Sequence, residues 1–215
     1  MNIIAPEINE YIMNISSAFP SCLPAESEIF ADMEKYAASV DFPIIGPTVG
    51  RFLRQLVMLS GAKRIFEMGS GYGYSALWLT GGMPDDGRII CTDNSGKNRD
   101  KALGYFKQAG YLHKIDFRIG NAAEIIEQFA GPFDLIITDI DKTQYPLAFK
   151  LAIPRLRRGG LFISDNVLWS GQILNPEPDM QTQNIIEFNR KLFSSPEVIS
   201  SIIPLRDGLG LAVKL

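Results

Sequence analysis

The fold this sequence predicts is α/β: a doubly wound, seven-stranded, mostly parallel sheet with an N-terminal helical cap and a C-terminal antiparallel hairpin. Three observations predict it. From Lys63 onward, short apolar runs alternate with longer amphipathic ones, the mark of parallel strands joined by right-handed helical crossovers. Before Lys63, apolar residues recur only at helical spacing. At the end, two short β-type runs flank Asp207-Gly208, a hairpin signal.

The first 60 residues read as three helices. Ile8, Tyr11, Ile12 and Ile15 form one apolar stripe, which Pro20 and Pro24 end or restart. A second helix over 25–39 places Ile29, Phe30, Met33 and Tyr36 on one face, and Asp41-Phe42-Pro43 breaks it. A third follows Pro47, with Val49, Phe52, Leu53, Leu56 and Val57 apolar, and stops at Ser60-Gly61. Such a region covers a sheet; it can also cap a ligand or meet a second copy of the chain. Strands then fall at 64–68, 88–92, 115–119, 134–138 and 160–164, and helices at 74–81, 97–109, 122–130, 143–157 and 180–193. The hairpin takes 198–203 and 210–215. Residues 166–180 carry prolines and a glycine and read as a loop or lid. The expected organisation is a single domain over 1–215, with 1–60 as cap and 61–215 as a Rossmann-like core.

Length and composition bound the rest. A chain of 215 residues supports one substantial core, and 46% hydrophobic with 21% charged residues is ordinary for a soluble protein. A net charge of −3 offers no global electrostatic case for nucleic acid. Cys22 and Cys91 fit no metal spacing and read as free thiols of a reducing compartment. The N-terminus lacks a basic region followed by an apolar run, and no apolar run could span a bilayer, so the expected location is cytoplasmic.

The glycine-dense stretch EMGSGYGYS at 67–75 joins a strand to a helix. Gly69, Gly71 and Gly73 let the backbone turn sharply and approach a ligand, while the helix N-terminus offers N–H groups to an anion. The spacing is GxGxG; Tyr74 stands where a dinucleotide-binding fingerprint has its third glycine. Glu67 closes the strand before the glycines. Asp93 closes the next one, at the distance where an acid accepts from ribose hydroxyls. A solvent-facing loop aspartate is the alternative, and it explains neither the spacing nor the strand end.

In an open parallel sheet, ligands bind beyond the carboxyl ends of the strands. The other polar residues there are Asn121, Asp139 and the pair Asp165-Asn166. If the strands ending at Asp139 and Asp165 are neighbours, three oxygen ligands converge, a set for a hard divalent cation such as Mg²⁺. Asp141 is an alternative ligand. Helix capping is the competing reading for each acid, but it leaves the pair before a long loop unexplained. Lys142 sits in a helical first turn, where the dipole disfavours it; beside a bound cation its pKa would fall, which suits a general base.

DIDKTQY at 139–145, SDNVLWSG at 164–171 and PLRDGLGLAVK at 204–214 resemble the cation-dependent O-methyltransferases, the family of catechol and caffeoyl-CoA O-methyltransferases. The resemblance runs from about residue 25 to the C-terminus. It implies a class I fold that uses S-adenosylmethionine (SAM) and Mg²⁺, or another divalent cation such as Mn²⁺ or Ca²⁺. Asp139, Asp165 and Asn166 would carry the metal, and Lys142 would be the base with Asp139 beside it. Glu67, Gly69, Gly71, Gly73, Ser75, Asp93 and Asp139 would hold SAM, with Asn121-Ala122 near the adenine. A homodimer is implied as well. Three positions depart from the family pattern: Asn121 where Asp is frequent, Gly71 where a side chain is frequent, and Arg51 where Gln is frequent.

A small hydroxylated, catechol-like or phenolic acceptor is the expected substrate. A wobble hydroxyuridine of tRNA is the alternative, and it requires a local basic face from Arg51, Arg54, Lys63 and Arg64. A non-catalytic SAM-binding protein is a third reading, which intact ligands and Lys142 oppose. His113, the single histidine, reads as a solvated loop residue, so no Ser/His/Asp set exists. Trp169, Tyr145 and Phe188 either flank a planar substrate or pack. The arginines of 155–158 read as decorating a helix and a turn.

Overall fold

Five apolar runs become parallel strands: β1 (Arg64–Met68), β2 (Arg88–Asp93), β3 (Ile115–Ile119), β4 (Phe133–Thr138) and β5 (Leu156–Ser164). The computed structural model describes residues 5–18 and 24–215. It adds β6 (Val198–Ile203) and β7 (Leu209–Lys214) and orders the seven strands β3-β2-β1-β4-β5-β7-β6. β1 pairs in parallel with both β2 and β4, so the winding reverses between β1 and β4. A crevice opens beyond the strand ends at such a reversal. β7 lies antiparallel between β5 and β6, the expected hairpin.

Period-two alternation splits the strands between two cores. Ile65, Ile89, Leu135, Ile137, Leu161 and Ile163 pack beneath α2 (Pro24–Val40), α3 (Gly46–Ser60), α4 (Tyr74–Gly82) and α5 (Gly96–Gln108). Phe66, Met68, Ile90, Ile136 and Phe162 pack on the other side with α6 (Ala122–Ile126), α7 (Tyr145–Ala152) and α8 (Met180–Ser194). Burial of both faces is why these strands read as unbroken apolar runs.

Two expected helices are shorter than their patterns. The helix expected over 122–130 ends at Ile126. The one expected over 143–157 divides into a 3-10 turn at Lys142–Gln144, α7, and a second 3-10 turn at Ile153–Arg155. β5 then starts at Leu156, well before residue 160. Leu156 pairs with Phe133 and Leu161 with Leu135, so residues 157–160 bulge from the strand, with Gly159 at φ 73°. Arg157 therefore decorates no helix. It donates to Asp134, whose other oxygen accepts the backbone N–H groups of Lys63 and Arg64 at 2.8 Å each. One carboxylate thus ties the starts of three neighbouring strands together.

The cap is joined to the core by aromatic contacts. Phe30 stacks on Trp78 with ring centroids 4.0 Å apart, and the Tyr72 hydroxyl donates to the Met33 carbonyl at 2.9 Å. Beneath it, Arg54 pairs with Glu26 at 2.8 Å, both side chains under a tenth exposed, and Tyr111 donates its hydroxyl proton to Glu26. α1 (Pro6–Ala18) contributes less. It leans on α3, and Ile8, Tyr11 and Ile15 of its apolar stripe stay exposed. Cys91 is free and buried, whereas Cys22 lies outside the described residues. Among the described residues, no helix is long and apolar enough to cross a membrane.

Arg54→Ala would strand the Glu26 carboxylate in the interior. Urea unfolding should show a loss of about 3–5 kcal/mol, the cost of breaking one side of a buried ion pair. An unchanged midpoint would mean that the pair holds nothing together.

Candidate active site

The site starts where β1 ends. Gly69, at φ 86°, passes so close to β4's exit that a Cβ there would stand 2.2 Å from the Asp139 carbonyl oxygen. Only glycine meets both demands. Gly73 does not line the cavity, and a Cβ on it would meet Ala102 and Phe106 at 3.0 Å, so packing also requires a glycine there. It also begins α4, whose N-terminus no side chain caps, so the first-turn amides remain for a ligand. Gly71 does not loosen this loop. Ser70 accepts from Thr92 N–H at 3.1 Å, Gly73 N–H donates to the Ser70 carbonyl at 2.8 Å, and the Phe42 ring closes over Gly71.

A cavity of about 470 Å³ opens above this loop, walled by Phe42, Pro43, Ile44 and Ile45 from the cap and by Trp169 and Arg206 on the far side. Ser75 and Lys142 border it. A second cavity of about 230 Å³ adjoins it, reaching Asn94, Gly120 and Ala122. The two share Gly69, Asp93, Asp139 and Ile140. Together they form a trough suited to an elongated ligand.

Polar groups at the strand ends around the trough divide by what they already hold. Glu67 is 2% exposed, and neither carboxylate oxygen has a hydrogen-bond partner among the described residues. Burial drives its pKa up to about 7, with the nearby Ser70 and Ser75 hydroxyls pulling the other way. Asp93 accepts from Ser95 N–H at 2.8 Å and Asn98 Nδ2 at 3.0 Å through one oxygen, while its residue lines both cavities. Asn121 is the N-cap of α6, accepting from Ala123 N–H at 2.9 Å, and it lines neither cavity, whereas Ala122 does. Asp141 caps the 3-10 turn; hydrogen bonds from Thr143 hold its carboxyl below the usual range. Capping therefore accounts for Asn121 and Asp141.

It does not account for Asp139, Asp165 and Asn166. Asp139 N–H donates to the Met68 carbonyl and Asp165 N–H to that of Thr138, so the ladder brings the ends of β1, β4 and β5 level. Lys142 Nζ donates to Asp139 Oδ1 at 2.9 Å, to Asn166 Oδ1 at 3.0 Å and to the Tyr145 hydroxyl at 2.7 Å. Arg206 reaches Asp165 Oδ2 at 3.3 Å. Asp165 is 1% exposed; burial and the neighbouring Asp139 charge push its carboxyl well above the usual range. The donor set is two carboxylates and one amide oxygen. Among the described residues no group of three or more His, Cys, Asp or Glu is placed to hold a metal, so any cation here must use the amide. Two protein cations already stand against this set, which is the arrangement a hard divalent ion would also satisfy.

Tyr145 and Phe188 pack rather than flank a substrate: both are fully buried, edge to face at 5.3 Å, and the Tyr145 hydroxyl donates to the Asp165 carbonyl at 2.9 Å. Trp169 does line the cavity. His113 is exposed, as expected. Sequence reasoning missed Arg206 and the wall at 42–45. Arg206 carries no local sign that sets it apart from its neighbours, and the wall at 42–45 contains the proline of an ordinary helix breaker.

The strand order, the glycine loop after β1 and the acid after β2 define a class I methyltransferase fold. The chain matches the O-methyltransferase family over residues 21–215 and belongs to that family. It is 32% identical to caffeoyl-CoA O-methyltransferase 1 of Eucalyptus globulus over 210 residues, covering 91% of this chain and 85% of the relative. To catechol O-methyltransferase of Niastella koreensis it is 31% identical over 222 residues, covering 99% and 98%. Among solved structures, an O-methyltransferase from Bacillus cereus in complex with SAH superposes with a TM-score of 0.85 at 28% identity, covering 97% of each chain.

Glu67 gives this site a pH signature. Its pKa rises from an ordinary 4.5 to about 7 on folding, so the native state binds the extra proton and loses stability as pH climbs between those values. Glu67→Gln should therefore gain on wild type by an amount growing across roughly pH 4.5–7 to on the order of 3 kcal/mol, then level off. A difference that ignores pH in urea titrations would mean that the buried carboxyl is ionised at no cost.

Proposed function

We propose that this O-methyltransferase moves the methyl group of SAM to a hydroxyl of a small catechol-like or phenolic acceptor, assisted by Mg²⁺ or a similar divalent cation. One observation carries the reading: a buried acid, a ribose-distance acid and an all-oxygen ligand set with a lysine in its midst stand together at the ends of β1, β2, β4 and β5, where Asp93, Asp139, Lys142 and Asn166 line the trough. The SAH complex of the Bacillus cereus relative supports the choice of donor.

The residues present fit both groups. Glu67 has no hydrogen-bond partner among the described residues, and a donor-bearing ligand at the glycine loop would give it one. Gly69, Ser75 and Asp93 would hold the rest of SAM, with Ala122 on the adenine side. Asp139, Asp165 and Asn166 would hold the cation. Bound there, SAM supplies an electrophilic methyl and the cation lowers the pKa of a nearby hydroxyl. Lys142 stands among these oxygens as an ammonium, its Nζ within 3.0 Å of Asp139 and Asn166 and anchored by Tyr145. Repelled by a divalent cation on those oxygens, it would give up its own proton and become a neutral amine placed to take that of the acceptor. Trp169 and the apolar wall at 42–45 orient a ring and exclude water.

Three of the four cations that the tRNA alternative requires are already engaged, which favours the small acceptor. Arg54 is buried against Glu26, Lys63 pairs with Asp86, and Arg64 turns onto the Phe133 ring.

Chelator should abolish transfer while leaving SAM binding largely intact, and Mg²⁺ should restore it. Asp165→Ala should behave like permanent chelation. Lys142→Ala should keep SAM binding and lose about 10²–10⁴-fold in rate. Its loss should be smallest for acceptors whose hydroxyl is already acidic. Full activity in chelator, or an unimpaired Lys142→Ala enzyme on a weakly acidic acceptor, would show these roles to be misassigned.

A further inference from the structure

Two cationic side chains border the larger cavity, and only one is fully engaged. An ammonium has three donors, and those of Lys142 go to Asp139, Asn166 and Tyr145. Arg206 has five donors and, among the described residues, makes one hydrogen bond, to Asp165 at 3.3 Å, with its side chain 42% exposed on the cavity wall. Its backbone is left-handed, φ 52°, a conformation that glycine takes freely and arginine does not.

The turn is locked into that shape from outside. Gly208 N–H donates to the Leu205 carbonyl at 2.9 Å, Val167 N–H to the Gly208 carbonyl at 3.1 Å and Leu168 N–H to the Asp207 carbonyl at 3.0 Å. The Asp207 carboxylate accepts from Asn166 Nδ2 at 3.3 Å and from Ser170 N–H. The loop that carries Asn166 and Trp169 therefore clamps Arg206 beside them. Backbone strain held by this many contacts, at a residue facing the cavity, marks a functional position.

We infer that Arg206 determines acceptor specificity, selecting hydroxylated rings that carry a carboxylate. This rests on the small-acceptor reading above. The apolar wall at 42–45 and Trp169 suit a ring, and the guanidinium fork suits a planar carboxylate bidentately. A neutral ring would leave those donors without a partner in a half-closed cavity. If Arg206 served only to neutralise Asp165, its loss would affect charged and neutral acceptors alike.

The test titrates 3,4-dihydroxybenzoate and catechol into protein loaded with SAH and Mg²⁺, for wild type, Arg206→Met and Arg206→Lys. Wild type should bind the carboxylated ligand about tenfold or more tighter. That ratio should collapse toward one in Arg206→Met and recover in part in Arg206→Lys, and the kcat/KM ratio with SAM should follow. The SAH affinity of each variant checks its folding, and the wild-type ratio tests the inference without any substitution. Equal binding by wild type, or a ratio that survives Arg206→Met, overturns the assignment alone. If neither ligand binds, the small-acceptor reading falls with it.

Discussion

The Asp139 carbonyl oxygen sits where a side chain on residue 69 would be, and a Cβ there would stand 2.2 Å away. The absence of that one carbon lets the glycine loop fold back over the end of β4. It also lets Asp139 N–H donate to the Met68 carbonyl and extend the β1–β4 ladder. Everything downstream inherits this closeness. Asp139 borders both cavities because its strand ends against the loop, and the buried Asp165 stands beside it because β5 runs level with β4. The two cavities thus share Asp139 as a common wall. Methyl transfer needs that geometry, since its rate depends on placing two reactants in line.

The electrostatics of the trough are costly to the folded chain. Glu67 is buried with neither oxygen bonded, and Asp165 is buried beside another carboxylate. Lys142 and Arg206 offset the second pair, whereas Glu67 has only neutral groups such as the Ser70 and Ser75 hydroxyls to set against its burial. A site that is incomplete electrostatically without ligands is one in which ligand binding and stability are linked. The cost is met elsewhere, in two apolar cores that cover both sheet faces and in the cap's aromatic contacts with Tyr72, Tyr74 and Trp78.

What was legible in the sequence was what local pattern controls. Strand ends could be found because apolar runs stop at polar residues, and the acids of the proposed site, Glu67, Asp93, Asp139 and Asp165, stand at or just past those ends. Lys142 was legible because it violates a local preference of helix starts. Less legible were features set by partners distant in sequence. The RRGG stretch at 157–160 has the composition of a turn, and only pairing of Leu156 with Phe133 makes it a bulge inside β5. Arg54 reads as a surface cation on α3 until Glu26 covers it. Arg206 gives no local sign of its strain, because the contacts that impose it come from the 166–170 loop. The close approach of Gly73 to Ala102 and Phe106 was equally hidden, because both lie on α5, beyond the next strand.

A crystal structure of the chain with SAH, Mg²⁺ and a catechol tests the central assignment most directly. The expected result is one ion held by Asp139, Asp165 and Asn166, with the SAH sulfur across Asp139 from it and Lys142 beside a catechol oxygen. An ion bound elsewhere, or Lys142 still spanning Asp139 and Asn166 in the loaded protein, would contradict it.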